Sequence, residues 1–393
     1  DAQLLTAPKI QFSFRIIFHS TRCFFSFTLA FRRPSNCLSL VVDRPDKLKG
    51  SSWLDEGHMY GSRTMKVPFL ERFYLLVLLP LVVLVINVAL ASGQCQGDQK
   101  SLLLNLKGSL SFNHSKSSSE LASWGSGTDC CRWEGVSCDS GGLGHVTGLN
   151  LSYKSISGWD PSAVFTLRYL QNLSLAFNSF NTTIPGGLAN LTELVYLNLS
   201  NAGFVGQVPD QLSQMTKLVI LDLSVSALYA NSRGRSLMLE NPNLGSLVRN
   251  LSELAELYLD GISLSEGGKD WCRALSSSVP KLQVLSLSYC NLSGSVDGSL
   301  KIMTFLSTIN LSGNNFSAMV PEIFSSFSNL TDLHLSNCGL NGDLADTILQ
   351  IPSLKTIDLS SNKNLGVTFA EFRQNQSLKN LLLSDTRILG NLP

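Results

Sequence analysis

Leu167 to Pro185 reads LRYLQNLSLAFNSFNTTIP. Its apolar residues fall at Leu167, Leu170, Leu173 and Leu175, followed by Asn178, Phe180 and the pair Ile184-Pro185. That spacing is neither one face of a helix nor simple strand alternation. Leu173-Ser174-Leu175 alternates like a short strand, and the chain is expected to bend at Asn178. In steps of 24 residues the frame recurs at Leu191, Met215, Met303, Phe327, Ile351 and Asn375, and one step back at Leu143. Two further copies start at Leu251 and Val279, after gaps of 36 and 28 residues, so that ten copies tile residues 143–393.

A period in the twenties with LxxLxLxxN at its centre is the signature of a leucine-rich repeat. One copy cannot bury its own leucines, so stacked neighbours must share a core. The predicted fold is an α/β solenoid: a curved superhelix with short parallel β-strands on its concave face and a disulfide-bonded N-terminal cap. Counting from the first leucine, positions 1, 4, 7, 9, 14 and 18 are expected to point inward. Positions 6 to 10 are expected to form the strand, with 6, 8, 10 and 11 facing out. Position 12 is where Asn bonds the backbone of the turn, yet only Asn178, Asn314 and Asn362 hold it. Lys154, Ala202, Ser226, Ile262, Cys290, Cys338 and Thr386 occupy it elsewhere, so those turns must satisfy their backbone otherwise. Lys154 is expected at the cap junction with its ammonium in solvent. Cys290 and Cys338 lie two repeats apart, too far for one disulfide at ~4.8 Å per strand, and read as buried small hydrophobes. Cys272 stands outside the frame. The long fourth and fifth repeats carry Tyr229 to Gly245, with Arg233 and Arg235, and Glu266 to Ser277, with Trp271 and Cys272. Both read as surface insertions of the kind that can hold binding residues on a rigid scaffold.

The chain has 393 residues, is 44% hydrophobic and carries a formal charge of +1. Residues 1–64 hold nine Lys/Arg against five Asp/Glu, and from Ser92 onward the balance is 19 against 23. A mildly acidic repeat region without a basic stripe excludes nucleic acid as the expected partner. Residues 1–64 begin at Asp1, are rich in Phe, Ser and Arg, and read as a non-native or upstream-translated segment. Met65 then opens MKVPFLERFYLLVLLPLVVLVINVALA. Lys66 and Arg72 precede an apolar run, and Ala89-Leu90-Ala91 ends it, the three parts of a secretory signal peptide over residues 65–91. Residues 92–142 form the cap. There Cys95, Cys130, Cys131 and Cys138 point to an oxidising compartment. Adjacent Cys130 and Cys131 would bond to each other only with strain, which leaves two pairings open. A Cys95–Cys130 bond would stabilise by roughly 3–4 kcal/mol.

The cap reads CxxDxxxLLxxK…W…CCxWxGVxC through Cys95, Asp98, Leu102, Leu103, Lys107, Trp124, Cys130, Cys131, Trp133, Gly135, Val136 and Cys138. This resembles the N-terminal cap of plant extracellular leucine-rich-repeat proteins. The resemblance implies pairs Cys95–Cys130 and Cys131–Cys138. The repeat ending LxGxIP, seen at Phe204 to Pro209 and Leu389 to Pro393, is also of the plant kind. YLNLSNAGFVGQVP (Tyr196–Pro209) and LENPNL…ELYLDG (Leu239–Gly261) resemble the Verticillium wilt resistance receptor-like proteins. The resemblance implies a cell-surface immune receptor of the secretory pathway, facing the outside of the plasma membrane. It would bind a pathogen- or damage-derived protein or peptide and signal through leucine-rich-repeat receptor kinase co-receptors. Membrane contact would come only through a helix beyond Pro393, where the chain is expected to break off inside its tenth repeat. A secreted polygalacturonase inhibitor shares the same cap, but ends in a cysteine cap and keeps even 24-residue spacing. The ectodomain of a hormone or peptide receptor kinase is a third reading.

The outward positions nominate the ligand-binding residues Tyr153, Phe177, Tyr196, Asp222, Glu256, Tyr258, Asp260, Tyr289, Asp332, His334, Asp358 and Asp385. Exposed aromatics among acids suit a protein or peptide of basic character. Twelve N-x-S/T sequons are candidate glycosylation sites: Asn113, Asn150, Asn172, Asn181, Asn190, Asn198, Asn250, Asn291, Asn310, Asn315, Asn329 and Asn375. Sugars on Asn150, Asn198 and Asn310, at position 8, would block part of the concave face. No catalytic arrangement of Ser, His, Asp or Cys, no CxxC pair and no phosphate-binding glycine loop is legible. An enzyme and a cofactor are therefore not expected.

Overall fold

The computed structural model describes residues 94–112, 121–125, 127–226, 237–264, 270–368 and 377–389. All of them lie in the unit that begins at Phe69. The segment 1–64, residues 65–91 with their expected signal peptide, Asn113, Asn375 and the stretch around Arg233 and Arg235 fall outside the described residues.

The backbone of the solenoid is one sheet of eleven strands. Its first strand, β1 (Val136–Cys138), belongs to the cap and runs antiparallel to β2 (Val146–Asn150). Nine parallel strands follow in chain order: β3 (Asn172–Ser174), β4 (Tyr196–Asn198), β5 (Ile220–Asp222), β6 (Glu256–Tyr258), β7 (Val284–Ser286), β8 (Thr308–Asn310), β9 (Asp332–His334), β10 (Thr356–Asp358) and β11 (Asn380–Leu382). Every pair is in register, so position 6 meets position 6 and position 8 meets position 8 along the ladder. The long fourth and fifth repeats do not break this register, because β5, β6 and β7 pair directly.

The strands end at position 8, two residues earlier than the alternation predicts. Position 11 turns into the left-handed region at Tyr153, Phe177, Asn201, Gly261, Tyr289, Gly313, Asn337, Ser361 and Asp385. The backbone nevertheless keeps bonding across the bend, as in Leu175 N–H to Asn198 O (2.9 Å) and Phe177 N–H to Ser200 O (2.9 Å). Beneath the strands, the leucines at positions 4, 7 and 9 form a continuous buried core. Leu143, expected to point inward, is 64% exposed. It sits on the hairpin between β1 and β2, where the Asp139 carboxylate takes the backbone N–H of Leu143 and Gly144 (3.1 and 3.0 Å). Position 14 of the ninth repeat is displaced by one residue, with Asn364 exposed and Leu365 buried.

Opposite the strand face, most repeats close through short 3-10 turns such as Gly186–Asn190 and Asp210–Gln214. A second set of parallel strands runs along the plant-type repeat ending: Gly206–Gln207, Leu237–Leu239 and Ser263–Leu264 in one group, Asn341–Asp343, Asn364–Thr368 and Arg387–Leu389 in another. This corrects the reading of Tyr229 to Gly245 as an excursion over its described part. Leu237 and Leu239 are buried in that second ladder. The fifth-repeat insertion likewise folds inward: Asp270–Ser278 is a helix whose Trp271, Cys272 and Leu275 enter the core in place of a 3-10 turn. Apolar side chains at i, i+1 and i+4 give that helix a buried stripe, and burial outweighs surface looping. No helix among the described residues is long and apolar enough to cross a membrane.

The cap helix α1 (Gly97–Ser109) buries Leu103 and Leu106 against Leu121, Trp124 and Trp133. The Lys107 ammonium donates to the carbonyls of Leu121 and Trp124 (2.9 and 2.7 Å), which gives the lysine of the cap motif its work. Gln99 accepts the Val146 N–H (2.6 Å) and so satisfies the first repeat strand. Disulfides run Cys95–Cys130 and Cys131–Cys138, with Cα atoms 5.4 and 5.5 Å apart. Lys154 departs from expectation: its side chain is only 13% exposed and its ammonium lies 2.6 Å from Glu134, locking the first repeat to the cap.

Candidate ligand-binding face

The strand face gathers four of the nominated residues into one cluster on β5, β6 and the turn that follows β6. In-register pairing sets Asp222 beside Tyr258. The Tyr258 hydroxyl donates to Glu256 (2.9 Å). Asp260 accepts from the hydroxyls of Ser286 and Ser288 (both 2.6 Å) and from the Ser288 N–H (2.7 Å), reaching into the next repeat. Burial holds the Asp222 carboxyl above its ordinary range, against the lowering effect of hydrogen bonds from the Ser224 hydroxyl and N–H, and the charge of Asp260 adds to the rise. The Tyr258 phenol is likewise pushed up by burial and by its bond to Glu256. A region that accumulates half-buried negative charge at an electrostatic cost favours a cationic partner.

Tyr196 is half-buried one strand away, and its oxygen accepts from Asn198 (3.1 Å). Tyr153 and Phe177 stack on each other (4.2 Å, 8° between planes), far toward the cap. Both follow the end of their strand with a left-handed backbone, Tyr153 exposed and Phe177 half-buried. Tyr289 is 64% exposed, with its ring lying over Gly313, where a Cβ would clash with it. Asp332 and His334 stand on β9, roughly 14 Å from β6 by strand count. Asp358 is occupied by Ser360 (3.0 and 2.6 Å), and exposed Asp385 lies 3.9 Å from Lys363. The structure thus brings together Asp222, Glu256, Tyr258 and Asp260, and leaves the remaining eight distributed along the face.

Serines at position 10 are the residues sequence reading undervalued. Ser152, Ser200, Ser224, Ser312 and Ser360 each donate backbone N–H to the Asn or Asp at position 8 (2.9–3.2 Å). Their recurrence as [N/D]-x-S was the available signal. Asn198 and Asn310 are half-buried, whereas Asn150 and Asn172 are exposed on the same face. The other described sequon asparagines, among them Asn181, Asn190, Asn250, Asn291, Asn315 and Asn329, are exposed and lie off the strands.

Among the described residues, one group of three metal-ligand side chains lies close together, Cys95, Cys130 and Cys131, and all three sulfurs are in disulfides. Burial raises the free thiols of Cys272 and Cys338 to about 12 and about 11, and raises Cys290 as well. Such thiols stay protonated and unreactive at neutral pH.

The fold is a leucine-rich-repeat solenoid closed by a disulfide-bonded N-terminal cap. Residues 96–139 match the leucine rich repeat N-terminal domain, and residues 144–204 and 280–340 match the leucine rich repeat. Among known proteins, the chain is similar to receptor-like protein 30 of Arabidopsis thaliana, 41% identical over 80 residues, which is 20% of this chain and 10% of that protein. It is also similar to polygalacturonase inhibitor 2 of Arabidopsis thaliana, 38% identical over 88 residues, 22% of this chain and 25% of the inhibitor. The matched segments therefore span a quarter or less of these relatives. Of solved structures, a plant ice-binding protein shares the fold (TM-score 0.59, 24% identity, 76% of this chain and 90% of that one). So does the ectodomain of the Arabidopsis receptor kinase HAESA, in complex with an extended IDA peptide hormone (TM-score 0.56, 25% identity, 74% of this chain and 49% of that one).

Proposed function

We propose that the chain is the ligand-recognition ectodomain of a plant cell-surface immune receptor-like protein. It enters the secretory pathway through residues 65–91, faces the outside of the plasma membrane and binds a pathogen- or damage-derived protein or peptide on its strand face. It passes the signal to leucine-rich-repeat receptor kinases. The observation that carries this reading is the Asp222, Glu256, Tyr258 and Asp260 cluster, which sets half-buried acids and a tyrosine at the middle of an open, in-register sheet. Such a floor suits the cationic side chains of an extended polypeptide. The peptide complex of HAESA supports a peptide ligand on this fold.

The test joins the chain to the membrane helix and tail of a receptor-like protein, expresses it in leaves and challenges them with culture filtrate of a wilt fungus. A burst of reactive oxygen that needs the chain, and is lost in Glu256→Lys, supports the proposal. A burst unchanged by that variant, or none with any filtrate, counts against it. The similarity to polygalacturonase inhibitor 2 favours a second reading, a secreted enzyme inhibitor. Fungal polygalacturonase mixed with the purified chain keeps its activity under the first reading and loses it under the second.

A further inference from the structure

Position 3 of the repeats forms a row of side chains just before the strands, and its members pair two by two. His145 stacks on Tyr169 of the next repeat (3.7 Å). Lys217 meets Glu193 (2.6 Å), and Lys281 meets Glu253 (2.8 Å). Side chains at this position in successive repeats are therefore in touching distance, and three consecutive pairs are chemically matched. The fourth pair is Phe305 and Asn329. As bare side chains they are mismatched: the Phe305 ring is 57% exposed, beside a small polar amide that is exposed too. Ile302, 62% exposed, lies three residues before Phe305 and extends the uncovered apolar surface.

Asn329 opens the sequon Asn329-Leu330-Thr331. Its Nδ2 donates to the carbonyl of Thr304, the residue before Phe305 (2.8 Å). An N-glycosidic link replaces one of the two hydrogens on that nitrogen, so the remaining N–H can keep the Thr304 bond. The bond then fixes the direction of the sugar, alongside the ring of the preceding repeat. The C–H face of a pyranose is apolar and packs on an aromatic face with release of water. We propose that Asn329 carries an N-linked glycan whose first N-acetylglucosamine covers Phe305, completing the fourth pair of the row. In the transfer, the bond from sugar C1 to the phosphate of a polyprenol diphosphate donor breaks and the C1–Nδ2 bond forms. The amide proton goes to a base of the transferase, and polyprenol diphosphate leaves. The glycan lies off the strand floor, so it leaves the Asp222–Tyr258 cluster open.

The inference rests on the secretory reading above, and one experiment separates the two. The full chain is secreted from plant cells, and each sequon is mapped by mass spectrometry. Melting is then compared for the wild type, Asn329→Gln, Phe305→Ala and the double variant. Expected are Asn329 occupied in most molecules, and a Tm loss of about 2 °C from Asn329→Gln that vanishes in the Phe305→Ala background. Trimming to a single N-acetylglucosamine should leave Tm unchanged, and this measurement stands even if Asn329→Gln fails to fold. Asn329 bare while other sequons carry sugar would overturn the inference and spare the secretory reading, as would equal Tm losses in both backgrounds. A chain without sugar at any sequon would overturn both.

Discussion

Position 12 shows how single residues close the solenoid. Asn314 accepts the N–H of Cys290 and Leu292 (3.1 and 2.9 Å) and donates to the carbonyls of Leu287 and Leu311 (both 2.8 Å). Asn362 does the same for Cys338, Leu340, Leu335 and Leu359. The intervening cysteines take over the donor half alone: the Cys290 thiol donates to Leu259 O (3.1 Å) and the Cys338 thiol to Leu311 O (3.2 Å). Each asparagine thus serves the turn of the repeat before it, and the gaps in the ladder are filled by neighbours. Asn314→Ala leaves two buried N–H groups unpaired and should cost about 3 kcal/mol in denaturant unfolding. On the strand face, Asp222 has a folded-state pKa above its unfolded value. Its ionised form is therefore a cost at neutral pH, relieved as pH falls through the carboxylate range. Asp222→Asn keeps an acceptor for Ser224 and should raise Tm at neutral pH by about 2 °C. That gain should shrink toward about pH 4, as read by melting across pH.

At the scale of elements, two tryptophans differ in what their indole N–H finds. Trp124 stacks on Trp133 (5.3 Å) and donates to Glu134 O (2.9 Å), tying the helical part of the cap to its disulfide-bonded hairpin. Trp271, on the helix Asp270–Ser278, is fully buried with its indole nitrogen unpartnered. Removing an N–H that bonds nothing is cheaper than removing one that does, because the carbonyl partner is not orphaned. Both Trp→Phe changes leave similar voids, so Trp271→Phe should be less destabilising than Trp124→Phe by about 1 kcal/mol. Paired urea titrations check the difference. The contrast between these two elements also separates what periodicity could and could not reveal. The cap announced itself through its cysteines and tryptophans at fixed spacing. The fifth-repeat helix fell outside the 24-residue frame, and nothing local distinguishes an amphipathic insertion that folds under the solenoid from one that loops above it.

For the whole molecule, the ten-strand register runs unbroken through repeats of unequal length, so a polypeptide ligand would meet one continuous face. The secretory reading makes a direct prediction for it. The chain expressed in plant cells should appear in the medium with a mature N-terminus near Ser92, read by N-terminal sequencing, and Ala91→Arg should retain residues 65–91 by blocking cleavage. Recovery of an uncleaved, cytosolic chain would sink that reading.

The sequence by itself determined the repeat, its frame and the inward positions, since leucines at fixed spacing can be buried only by stacking. It also named the strand-face residues, because position within the repeat fixes which side of the sheet a residue occupies. Only the tertiary structure decided which of them lie together. Asp222, Glu256, Tyr258 and Asp260 meet because the 36-residue fourth repeat returns to register after its insertion, a result that depends on what the insertion does inside the core. Position 11 takes a left-handed backbone at Tyr153, Phe177 and Tyr289, which alternation along a strand does not foretell. The hydrogen-bond exchange at position 12 and the pairing at position 3 were equally hidden, since each joins residues some 24 apart through a contact that exists only between neighbouring coils.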